Sequence, residues 1–140
     1  MGRSTTSIRL DDELRAHLSA TADAEATTMT DLIERFVREG LATARHAGIV
    51  FKPGPSGRRA ALAGGPDVWE IVAAFRDIRG SEAKRVKTIA RQFGLNERQI
   101  TIALDYASSH RDEIETRIRA NDRALQEAEQ VAAEREQLLA

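Results

Sequence analysis

The chain has 140 residues, 41% of them apolar and 31% charged, with aromatics at only 4%, a composition typical of helix-rich globular proteins with an aliphatic core. It contains no cysteine, which excludes disulfide frameworks, thiol catalysis and cysteine–zinc sites. The opening MGRSTTSIRL has no apolar leader stretch and no apolar run nears the roughly 18 residues that span a bilayer, so a cytoplasmic chain with no membrane partner is expected.

The formal net charge of −1 hides an uneven distribution: −2 over residues 1–45, +4 over 46–110 and −3 over 111–140. A basic middle between acidic ends suggests three functional segments. If the chain is divided into small modules, each is short enough that oligomerisation usually has to help it fold.

In the first segment Thr6, Ile8 and Leu10 alternate with Thr5, Ser7 and Arg9, the period-2 pattern of a strand with one buried face. Asp11 reads as an N-cap, with Asp12 and Glu13 suited to the positive end of the helix that follows. Leu14, Leu18 and Ala22 recur along that helix. Thr28 and Asp31 have capping-box spacing, and a second helix is expected with Ile33, Phe36, Val37 and Leu41 on one face. One strand and two short helices do not close a core alone, so two copies pairing their strands would form a homodimer.

STTSIRLDDELRAHLSATADAEATTMTDLIERFVREGL, residues 4–41, resembles the ribbon-helix-helix family of the CopG, Arc and MetJ repressors. The resemblance implies that paired strands enter the major groove of operator DNA. Thr5, Ser7 and Arg9 would then read bases, with Arg9 the candidate for guanine. Arg3 and the start of the second helix, at Thr28 and Met29, would hold phosphates.

ATARHAG reads as a linker or frayed helix end. Ile49, Val50 and Phe51, then the turn PGPSG, then RRAAL, suggest a hairpin. Asp67 with Glu70 caps a helix whose apolar face is Val68, Ile71, Val72, Phe75 and Ile78, with Trp69 packing over the hairpin. VKTIARQFGLNERQITIALD, residues 86–105, carries a helix-turn-helix pattern. Ala90 stands where the helices cross, Gly94 takes the turn, Ile100 pins the second helix, and Asn96 and Gln99 form its capping box. DNA-contact candidates are Lys84, Arg85 and Lys87 for phosphates and Arg98, Gln99 and Thr101 near base edges. A unit of this shape also serves as a protein-docking module.

Residues 111–140 form one continuous helical pattern. Ile114, Ile118, Asn121, Leu125, Ala128, Ala132, Arg135 and Leu139 follow a 4-3 spacing, an apolar stripe that suits a partner. His17, His46 and His110 are far apart and lack metal-ligand spacing, while Asp112, Glu113 and Glu115 sit in a helical charge run. Neither an enzyme nor a metal or cofactor site is expected.

Residues 47–118, with GIVFKPGPSGRRAALAGGPDVWEIV and ARQFGLNERQITIALDYASSHRDEIETRI, look like a small domain of bacterial antitoxins. Behind the first segment, this resembles a VapB-type antitoxin of a type II toxin–antitoxin pair. The resemblance implies operon autorepression and inhibition of a ribonuclease toxin, often PIN-like, with Ile118, Arg119, Arg123, Leu125 and Arg135 as candidate toxin contacts. The alternative is a stand-alone dimeric transcriptional regulator. The expected fold is thus mainly α, arranged as three segments. A ribbon-helix-helix module spans residues 1–45, a hairpin plus helix-turn-helix domain 46–110, and a C-terminal partner-binding helix 111–140.

Overall fold

In the computed structural model, which describes residues 2–140, the first regular element begins where the sequence places a cap. Asp11 is extended, its Oδ1 accepts from the Leu14 amide at 2.8 Å, and helix α1 runs Asp12–Ala24. The acidic first turn, Asp12 and Glu13, complements the helix dipole. Helix α2, Met29–Arg45, starts where Thr28 Oγ1 accepts from the Asp31 amide at 3.1 Å. It runs on through Gly40 and the ATAR expected as a linker or frayed end, because Ala42 packs on a core and Thr43 donates to the Ile49 carbonyl.

The expected N-terminal ribbon is absent. Residues 2–10 form no strand, and the chain enters α1 directly. A strand exists only through a ladder, and the described strands of this chain pair with each other, leaving none for residues 5–10. The burial pattern departs from alternation as well, since Ile8, expected inside, is 62% exposed. The fold is therefore helical with one two-stranded sheet, not a ribbon-helix-helix followed by helices.

The chain divides into two compact units, one ending at Leu41 and one beginning at Ala42. The first has a small core of Leu18, Ala22 and Leu32, against which Leu10, Met29 and Ile33 pack. Its second helix opens an apolar side to solvent: Phe36, Val37 and Leu41 are 47%, 55% and 67% exposed. The face expected to be buried is thus largely uncovered, and Leu32, from outside that set, fills the core.

The second unit starts with a hairpin. Strands β1, Ile49–Lys52, and β2, Arg59–Leu62, pair antiparallel in the register Ile49↔Leu62 and Lys52↔Arg59. The buried Ile49, Ala60, Ala61 and Leu62 line it. Helices α3, Val68–Asp77, α4, Glu82–Phe93, α5, Glu97–Ser109, and α6, Arg111–Leu139, complete the unit. Their common core includes Ile71, Ile89, Ile100, Ala103 and Tyr106, together with Ile114 and Ile118 from the first two turns of α6.

Side chains at the start of α3 and on α6 tie the hairpin into this core. Asp67, the buried carboxylate before α3, pairs with the Arg59 guanidinium and accepts from Trp69 Nε1 at 3.2 Å, while Glu70 accepts from the Asp67 amide at 2.9 Å. Charge pairing offsets the desolvation of the Asp67 carboxylate. Arg117 of α6 donates to Ser56 Oγ at 2.7 Å and to the Arg58 carbonyl at 2.8 Å. Trp69 is half-buried beside this pair, packed on the core as its sequence position suggests.

Candidate nucleic-acid interface

The helix-turn-helix is built by two local rules. At the end of α4, Gly94 adopts φ 66° and ψ 35°, and Leu95 donates to the Ala90 carbonyl at 2.8 Å, closing the helix with a left-handed residue. At the start of α5, Asn96 Oδ1 accepts from the Gln99 amide and Gln99 Oε1 from the Asn96 amide, both at 2.9 Å, a reciprocal capping box. Ala90 and Ile100 are both buried where the motif needs a small residue and a branched one.

The outward side of α4 is cationic. Its buried stripe is Val86, Ile89 and Ala90. Lys84, Lys87 and Arg91, spaced by three and four residues, share the opposite line and are exposed. None of the three has an ion-pair partner among the described residues. Arg85 differs from its neighbours. Its guanidinium lies 3.8 Å from the centre of the Phe75 ring and donates to the Phe75 carbonyl at 2.9 Å, a cation–π contact inside the unit. Position 85 lies four residues before the buried Ile89, so a helical wheel puts it on the flank of the core. Arg91, by contrast, was missed as a candidate, although it lies seven residues after Lys84.

The outward side of α5 is mixed. Arg98 is exposed, but Glu97 and Asp105 flank it, Thr101 donates its hydroxyl to the Glu97 carbonyl at 3.1 Å, and Gln99 is engaged in the cap. Comparison of the chain with protein-family models, with curated proteins and with solved structures finds no match. Any functional reading therefore rests on the chemistry of this chain.

The other candidate residues fall as follows. Thr5, Ser7 and Arg9 lie exposed in the segment before α1, without the pleat that would line them up. Arg3 pairs with Glu34 at 2.9 Å within the first unit. Thr28 caps α2, and Met29 is half-buried against the small core. On α6, Ile118 is buried within its own unit and cannot dock a partner. Arg119, Arg123, Leu125 and Arg135 are exposed.

Two histidines remote in sequence do meet. His46 and His110 have ring centres 5.7 Å apart, and His110 stacks on Tyr106 at 4.0 Å. Ser109 Oγ lies 3.2 Å from His46 Nε2 and 3.3 Å from His110 Nδ1. The Tyr106 hydroxyl donates to Glu113 at 2.9 Å, and burial first, then the Glu113 charge, pushes its pKa well above the ordinary tyrosine value. This network fixes the α5–α6 junction through Tyr106 and His110, whose Nδ1 lies 3.0 Å from the Tyr106 carbonyl. Among the described residues no three histidine or carboxylate side chains converge as metal ligands, and no helix is long and apolar enough to cross a membrane.

Proposed function

We propose that the protein is an antitoxin of a type II toxin–antitoxin pair, which binds operator DNA as a dimer and neutralises a ribonuclease toxin. The observation that carries this reading is the second half of α6. From residue 122 onward every position is exposed, and Leu125, Val131, Leu138 and Leu139 are open to solvent on the part of the helix that leaves the core of its own unit. An isolated helix of this length is marginal in water without packing, so a partner accounts for its apolar residues.

The charge of this half-helix specifies the partner surface. Residues 120–140 carry five carboxylates, Asp122, Glu127, Glu129, Glu134 and Glu136, against Arg123 and Arg135. An acidic amphipathic helix suits an apolar groove with a basic rim. A nuclease binds polyanionic RNA through such basic surfaces, so the helix would compete with the RNA backbone. That accounts for the excess of carboxylates over Arg123 and Arg135 on this half-helix. The resemblance of residues 47–118 to antitoxin domains supports the same reading, and the open Phe36, Val37 and Leu41 side of α2 supports a second copy in the assembly. DNA binding draws on the α4–α5 helix-turn-helix and its cations.

The test is co-expression with the neighbouring reading frame. Its product alone should arrest growth and degrade RNA, and the full chain should restore growth. A chain ending at residue 119 should bind DNA as before but fail to restore growth. A harmless neighbour, with intact DNA binding by the full chain, would overturn the antitoxin reading and leave a stand-alone regulator.

A further inference from the structure

The helix-turn-helix pattern suggests that its second helix reads bases, but the distribution of charge on the two helices points elsewhere. On α5 the outward carboxylates Glu97 and Asp105 repel phosphate. Gln99 Oε1 is taken up by the Asn96 amide and the Thr101 hydroxyl proton by the Glu97 carbonyl, which leaves Arg98 as the one cation on this side. On α4 the three outward cations are unneutralised, whereas Arg35, Arg59 and Arg76 each hold a carboxylate. Like charges at these spacings oppose one another and weaken the helix, and a polyanion lying along it reverses that repulsion.

Resting on the DNA-binding reading above, we infer that α4, not α5, is the contacting helix, and that Lys84, Lys87 and Arg91 clamp the phosphate backbone of duplex DNA without reading its sequence. The dimensions match. Seven residues of α-helix rise about 10 Å, and a strand climbs about 3.4 Å along the duplex axis per phosphate while winding around it, so long cationic side chains along this line reach neighbouring phosphates of one strand. Arg85 takes no part, because Phe75 holds it. The partner chemistry is a run of phosphodiesters on a B-form duplex, and base identity enters only through contacts elsewhere in the chain.

The experiment compares the full chain with K84Q/K87Q/R91Q on two short DNA duplexes, one from upstream of its own reading frame and one scrambled. The affinity is measured between about 50 and 200 mM salt. The triple variant should keep its helical circular dichroism and lose affinity by the same factor on both duplexes. Its log–log salt slope should fall by about 2.7, so that the gap to wild type narrows by about 40-fold over that salt range. R98Q should leave the slope unchanged. An unchanged slope in the triple variant, with DNA binding intact, would overturn the clamp and leave the DNA-binding reading standing. A loss confined to the upstream duplex would overturn it in favour of base reading, and tighter binding to an RNA duplex of the same sequence would overturn its DNA preference. Absence of binding to any duplex by the wild-type chain would overturn both this inference and the DNA-binding reading.

Discussion

Two helix ends in this chain use the same left-handed closure with different residues. After α4, Gly94 takes φ 66°, and after α1, Ala26 takes φ 53° while Thr27 donates to the Ala22 carbonyl at 2.9 Å. The first was legible in the sequence because glycine advertises the conformation. The second was not, because alanine in a polar ADAEAT run gives no such signal, and its Cβ pays for the geometry. Nothing lies within 4 Å of where a Cβ would stand on Gly94, so Gly94→Ala should cost backbone strain alone, about 1 kcal/mol. Ala26→Gly should stabilise the first unit by a smaller amount, since glycine also loses more backbone entropy on folding. Urea midpoints followed by circular dichroism measure both. A destabilised Ala26→Gly would show that the strain at that turn is already relieved elsewhere.

At the scale of elements, caps and the helix-turn-helix were readable because their rules are local: a side-chain oxygen, a glycine and a buried stripe within a few residues. What depended on distant contacts was not. The alternation from Thr5 to Leu10 specifies two faces but cannot supply a second strand. The heptad stripe of α6 could not reveal that Ile114 and Ile118 belong to their own unit while Leu125 does not. A tie between α3 and α6 was likewise invisible, since Arg76 and Glu115, which form a bidentate pair, are 39 positions apart. The Arg76 hydrogen bond and charge, with Arg119 and Arg111 behind them, hold the Glu115 carboxyl below its ordinary range against the opposing effect of burial. A carboxylate depressed in the folded state contributes stability that is fully present above its unfolded pKa, about 4.3, and is lost as pH falls through the folded value. Arg76→Gln should therefore lower the urea midpoint at neutral pH and leave it little changed in acid, where the wild type has lost the same contribution. An equal loss at both pH values would mean that Arg76 acts through packing alone. On the proposed dimer, Val37→Glu places a charge at the centre of the open α2 side and should convert dimers to monomers in sedimentation. An unchanged dimer would move the interface away from that side.

For the molecule as a whole, the sequence carried the helical content, the hairpin and the order of the later helices. It gave the first forty residues a strand that does not form, and their described core is the small set Leu18, Ala22 and Leu32. The larger unit keeps a continuous aliphatic core through Ile49, Ile71, Ile89 and Ile100. The two units therefore differ in how much of their stability comes from within.

Trp69, the one indole of the chain, donates to Asp67 inside the larger unit, and this gives it an optical consequence. Its fluorescence reports the melting of that unit only, whereas far-ultraviolet ellipticity reports helices from both. If the first unit depends on a second copy, the two melting curves should separate, and only the ellipticity component outside the fluorescence transition should move to higher temperature as protein concentration rises. Coincident curves at every concentration would instead show that the two units melt as one.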